Sequence, residues 1–231
     1  MVRARRTLRG LVLLLGLAGV AYAAPPEEAI MPLEQYKSAT ARALATTYAV
    51  ELRQIYDNVY HCLPWLDIRE DGLGFRRPRG SQGDGFYLAV WVLVEQIVNP
   101  EFTAMPPARR ASAMFSRYGI DLLRRLSKYP QLAAEPGLSG YSVVLTWLKP
   151  ERATERGAQP VNEALAVFVD KATVEGFFRR VLTPTEFVGR AVVASFDGKR
   201  ELGRLPLELW EDSFTQTFKL KDYTPDPFHR C

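Results

Sequence analysis

The chain has 231 residues, 47% of them apolar and 24% charged, with a formal net charge of +4. That composition excludes a disordered, collagen-like or low-complexity chain, and no period of about 20 to 50 residues marks a repeat array. The positive excess sits in the four arginines of the first 23 residues. Without them, basic and acidic residues stand at 26 each, which leaves no electrostatic basis for a nucleic-acid partner.

Arg3, Arg5, Arg6 and Arg9 form a positive opening, and Leu11 to Val20 form a short apolar core. Ala21-Tyr22-Ala23 then gives the small-x-small pattern that signal peptidase cleaves. The core is too short to span a bilayer, which takes about 20 apolar residues. Pro25 and Pro26 stop a helix from running on. Arg9 stands where a twin-arginine signal prefers an apolar residue, so the general secretory route fits better. Residues 1–23 are therefore expected to be removed as a signal peptide, leaving a periplasmic or secreted chain. One globular domain is expected over 24–222 and a C-terminal tail over 223–231.

Residues 33–62 read as one long helix, because Leu44, Tyr48, Leu52, Ile55, Val59 and Cys62 recur at steps of three and four. Asp71-Gly72 reads as a turn between two extended pieces, Leu66 to Glu70 and Leu73 to Arg77. Phe86 to Val94 is apolar at every position and suits a central strand covered on both faces. Residues 107–129 read as a second amphipathic helix, with Pro107 in its first turn. Its inner stripe is Met114, Tyr118, Leu122, Leu126 and Tyr129; its outer face carries Arg109, Arg110, Arg117, Arg124, Arg125 and Lys128.

Two strands follow, Tyr141 to Leu148 and Ala164 to Val169, with a polar loop over 149–162 between them. Asp170 suits the N-cap of a helix over 171–182, and Thr183-Pro184-Thr185-Glu186 is a capping box. Asp197-Gly198 joins two strands as a tight hairpin. Phe214, Phe218 and Leu220 alternate with polar residues as a last, edge strand. This order predicts an α+β fold. Its sheet is mainly antiparallel, of about five to seven strands, with the long N-terminal helix and the second amphipathic helix packed on one side.

No catalytic constellation emerges. Gly137-Leu138-Ser139-Gly140-Tyr141 approaches a nucleophile elbow but has Tyr where the last Gly belongs, and its strand follows rather than precedes. Asp67 to Gly72 opens like an EF-hand loop, but Arg69 takes a ligand position and Pro78 stands where the bidentate Glu belongs. The adjacent acids Glu70-Asp71 and Glu211-Asp212 point to opposite faces in a strand and make no acid/base dyad. No cofactor and no metal are called for.

Three candidate sites remain. The glycine-rich stretch 72–85 offers backbone amides beside Arg76, Arg77, Arg79, Gly80 and Gly83 for an anion, or is simply a solvated loop. Arg110, Arg117, Arg124 and Lys128 lie at steps of seven, seven and four, which places them on one helix face. That stripe suits an anionic envelope lipid or glycan, or is a solvated face. His61-Cys62 and His229-Arg230-Cys231 hold every His and Cys of the chain. In an oxidising compartment a Cys62–Cys231 disulfide is expected, with a Cys2His2 metal site as the alternative. The resulting function is that of an exported, non-catalytic binding or assembly protein whose partner belongs to the envelope. The rival is a carboxylate-dependent hydrolase or transferase working at 67–85 through Asp67, Asp71 and Asp84.

Overall fold

The computed structural model describes residues 26–78, 85–95, 100–149, 161–210 and 227–231. Outside those residues lie the expected signal segment, Arg79, Gly80, Gly83 and Asp84, most of the 149–162 loop, the strand expected over 214–220 with Glu211-Asp212, and the first part of the expected tail.

The chain opens with a short helix α1 (Pro26–Ala29) and a 3-10 turn over Leu33–Gln35. The long helix expected over 33–62 is in fact α2 (Ala39–Thr47) and α3 (Ala49–Cys62). Tyr36 explains the first break. Its buried hydroxyl accepts a hydrogen bond from the Phe75 amide at 3.2 Å, which holds the chain extended there, and Ser38 then caps α2. Tyr48 makes the second break, leaving helical geometry at ψ 27° while its hydroxyl donates to Glu135 at 2.7 Å. That bond pushes the Tyr48 phenol up to about 12, and it helps to hold the Glu135 carboxyl below its usual range. The apolar stripe survives both breaks: Leu44, Leu52, Ile55, Val59 and Cys62 are buried.

Strand β1 (Leu66–Arg76) corrects the turn expected at Asp71-Gly72. Both extended pieces pair with one strand, β2 (Phe86–Val94), so they are collinear. Ile68 faces Val92 and Leu73 faces Val90; the residues between them form a bulge, with Asp71 at φ 53°. Gly72 is required there: a Cβ would lie 2.6 Å from the Arg69 carbonyl oxygen and 2.7 Å from that of Trp91.

Between β2 and β3 (Leu138–Leu148) run α4 (Pro100–Thr103), α5 (Pro107–Met114), a π segment (Phe115–Gly119), α6 (Ile120–Leu126) and α7 (Pro130–Ala134). This long crossover lets β2 and β3 pair in parallel, the one parallel strand pair among the described residues. After β3 come β4 (Asn162–Asp170), α8 (Lys171–Phe178), α9 (Pro184–Arg190), β5 (Val192–Asp197) and β6 (Arg200–Gly203). Among the described residues six strands lie in sequence order, β1 to β6. The fold is α+β with a mostly antiparallel sheet, as the element order implied.

Helix α3 lies against β1, α6 and α8 lie against β3, and α6 touches both α3 and α8, so the three helices form one layer. Under it the alternate residues Leu88, Val90, Val143, Leu145, Leu165 and Val167 are fully buried. The opposite face differs from the double cover expected for β2. Trp91, Val144, Phe168 and Phe196 are half-exposed there, Leu148 is 43% exposed and Val192 57%. Among the described residues the sheet is thus apolar on both faces and covered by helices on one, while Ala89, Ser142 and Thr146 are still buried on the other.

Candidate functional site

The arginine stripe of the second helix is the first prediction to change. The π segment adds rotation to the helix, since each extra residue turns the chain by about 100°. Phe115 and Gly119 pack at this point, where a Cβ on residue 119 would come within 2.2 Å of the Phe115 ring. A seven-residue step across it no longer keeps to one face. Arg110 is turned inward and is only 7% exposed. Its guanidinium grips the Glu163 carboxylate with two nitrogens, one of them at 2.8 Å, and donates to the carbonyls of Thr103 and Met105. The Trp147 indole donates to the same carboxylate at 2.8 Å. Arg110 is therefore a structural cation that ties α5 to β4, not a surface-binding residue. Arg125, on the same expected outer face, is buried too, on Asp121 at 3.1 Å and Asn58 at 2.6 Å. Arg117 lies over the Tyr118 ring.

Arg124 and Lys128 remain exposed, and a third cation joins them from an unexpected place. Asp170 caps α8 through Thr173, whose amide and hydroxyl both bond its carboxylate, at 2.8 and 2.6 Å. The helix stops at Phe178, four residues short of the 182 expected. Arg180 sits at φ 61°, and the amides of Arg180 and Val181 bond back to the carbonyls of Phe177 and Gly176 at 2.9 and 2.8 Å. This is the usual glycine-type helix stop with an arginine in the left-handed position. Thr183 and Glu186 then form the expected capping box and start α9 at Pro184.

The two helix ends, α6 and α8, enclose a groove of about 680 Å³. Arg124, Lys128 and Arg180 supply its charge, Phe177, Phe178, Leu182 and Pro184 its apolar floor, and no acidic residue lines it. The Arg124 guanidinium lies 5.2 Å from the centre of the Phe178 ring. None of the three cations has an ion pair among the described residues, whereas neighbouring Arg179 is paired with Glu175 at 2.9 Å. Sequence periodicity found Arg124 and Lys128 but missed Arg180, Phe177 and Phe178. The run Phe177-Phe178-Arg179-Arg180 reads as helix, and its weight as a site depends on where that helix ends.

The glycine-rich stretch gives a weaker picture. The half-buried Arg76 spends its guanidinium on the Asp71 carbonyl within the β1 bulge, and burial lowers its pKa. Arg77 lies 4.8 Å over the Phe86 ring. The two described arginines of this candidate site therefore serve separate contacts; Arg79, Gly80 and Gly83 are outside the described residues. The carboxylates also part company. Asp71 accepts from the Gln35 amide at 2.6 Å, while Asp67 shares a hydrogen bond with Glu95. That bond, with burial and the Asp67 charge, pushes the Glu95 carboxyl up to about 7. Glu95 was not foreseen, because strand pairing across 28 residues is what brings it to Asp67. Neither carboxylate lines the groove.

Cys62 and Cys231 meet at disulfide distance, with Cα atoms 5.4 Å apart. The bridge anchors residues 227–231 at the end of α3, where the His61 and His229 rings stack with centroids 3.6 Å apart. Among the described residues no three His, Cys, Asp or Glu side chains are grouped to hold a metal ion. No helix of the described residues is long and apolar enough to cross a membrane. No family model, no curated protein and no solved structure matches the chain.

Proposed function

We propose that the chain is an exported, non-catalytic binding protein, periplasmic or secreted, that holds an anionic envelope ligand in the groove between α6 and α8. The observation that carries this reading is the groove itself: three cations without a counter-charge among the described residues, over an aromatic floor. Cations left unpaired at one concave place keep their full attraction for an anion, and the aromatic floor excludes water beside them. The export half of the reading rests on the signal pattern of residues 1–23 and is supported by the cysteine pair, since disulfides persist in oxidising compartments. N-terminal sequencing of periplasmically expressed protein checks it: the mature chain is expected to begin at Ala24.

The binding half is tested by co-sedimentation with vesicles of anionic phosphatidylglycerol and of neutral phosphatidylcholine. The mature chain is expected to bind the anionic vesicles only, and less as salt rises. Neutralisation of Arg124, Lys128 and Arg180 together removes about 3 kcal/mol of attraction, at about 1 kcal/mol per cation near an anionic surface. Equal binding to both vesicles without salt dependence refutes the reading.

A further inference from the structure

Pro184 lines the cationic groove, and it also lines a second concavity of about 670 Å³. That trough lies between α9 and the segment 204–209. Val188, Val193, Leu205, Leu207 and Leu209 supply its apolar lining, and the exposed Glu208 and Arg204 bring one charge of each sign to its rim. The segment is pinned from behind: the Glu208 and Trp210 amides donate to the Ser112 and Ser116 hydroxyls at 3.0 and 2.9 Å. Arg204, the one cation of the trough, donates to the carbonyls of Gly189 and Ala191 at 3.3 and 3.2 Å. The charge at this end thus already answers to backbone, while the charges of the neighbouring groove have no ion pair among the described residues.

We infer that the ligand of the groove is an anionic amphiphile, a single-chain lipid. Its charged head sits on Arg124, Lys128 and Arg180, and its acyl chain passes Pro184 into the trough between α9 and residues 204–209. This rests on the anionic-ligand reading above and names the class of ligand. A purely polar anion satisfies the three cations but leaves the apolar trough wet. An acyl chain takes apolar surface out of water there, on the leucine and valine side chains and on itself, and so links the two concavities in one molecule. The head end matches the charge, and the two concavities, about 680 and 670 Å³, together exceed what a compact anion fills.

The test is calorimetric titration of the periplasmically expressed chain with inorganic phosphate and with butyl, octyl and dodecyl phosphate, each below micelle formation. Each methylene fully withdrawn from water is worth about a three- to fourfold gain in affinity. Because the trough is open on one side, the rise from butyl to dodecyl is expected to be on the order of 100-fold rather than the full product. The double substitution Leu205→Asn and Leu209→Asn, at half-buried positions, is expected to flatten that rise. Charge reversal at Arg124, Lys128 and Arg180 is expected to weaken the whole series alike. Equal binding of butyl and dodecyl phosphate overturns the amphiphile and leaves the anionic-ligand reading standing. No binding by any of the four overturns both. A chain-length rise that survives the Leu205/Leu209 substitutions overturns the trough as the seat of the chain. The wild-type series decides the first two outcomes without any variant, and a melting curve of each variant shows that it folds.

Discussion

Arg110 and Arg124 stand on the same helical stretch, on the same side of an ideal helix, and end in opposite roles. Arg110 is buried, forked onto Glu163 and two carbonyls. Arg124 stays exposed, touches a ring and joins two more cations. Nothing in the helix itself separates them except the π segment between. What decides is the element opposite. At α5 the strand β4 presents an acid; at the end of α6 the turn after α8 presents another arginine. A helix stripe of arginines is thus two kinds of residue, and the distinction lives in tertiary contacts.

The largest effect is expected at the buried end. Glu163→Ala leaves the Arg110 guanidinium buried without its counter-charge and is expected to cost about 3–5 kcal/mol in urea unfolding, whereas Arg124→Ala costs within about 0.5 kcal/mol. Replacing both partners, Arg110→Met with Glu163→Leu, restores most of the loss, because no charge is then stranded. If Glu163→Ala proves as mild as Arg124→Ala, the two arginines do not differ as described.

Next comes the bridge, which holds the end of the helix that receives Arg125 through Asn58. Closing a loop of 169 residues is worth about 5 kcal/mol in the chain-entropy model, as an upper figure, and removal of such bridges from small secreted domains costs about 2–5 kcal/mol. A melting temperature that does not move on reduction with dithiothreitol contradicts this role.

Arg180 sharpens the contrast from the groove side. A left-handed residue with a side chain costs about 1 kcal/mol that glycine does not. Arg180→Gly is therefore expected to raise stability by up to about that amount while weakening attachment to anionic vesicles. No substitution at Arg110 offers such an exchange. A variant that loses stability, or that binds as the parent does, breaks the assignment.

The smallest effect belongs to Asp67 and Glu95. The folded state holds the Glu95 proton up to about pH 7, above the ordinary carboxyl range, so it binds more protons than the unfolded chain between them. The contribution is full below the unfolded carboxyl pKa and is lost as pH rises through about 7. Glu95→Gln is expected to flatten the fall in stability over that window, and an unchanged slope removes the shared proton from the account.

Much of the fold is legible in the sequence, because local signals there agree with tertiary demands. Val188 and Phe187 follow a capping box that forms as written, Asp170 caps as expected, and a hairpin forms one residue later than expected, with Asp197 paired to Arg200 and Gly198-Lys199 as its turn, Gly198 at φ 62°. The failures share a physical cause, which is contact between residues far apart in the chain. The Tyr36 hydroxyl reaches the Phe75 amide and stops a helix that periodicity continues. Strand β2 pairs with both halves of β1 and turns an apparent hairpin into a bulge. The groove was half legible: Arg124 and Lys128 carry the periodic signal, but Arg180 enters only because α8 ends at Phe178.

The measurement that reaches the central claim most directly is an amide NMR titration of the oxidised chain over residues 24–231 with dodecyl phosphate. The account predicts shifts concentrated at residues 124–128 and 176–184, continuing to 188–189 and 205–209. Shifts centred instead on Tyr87, Trp91, Val144 and Phe168 place the ligand on the open sheet face and contradict the groove as the binding site.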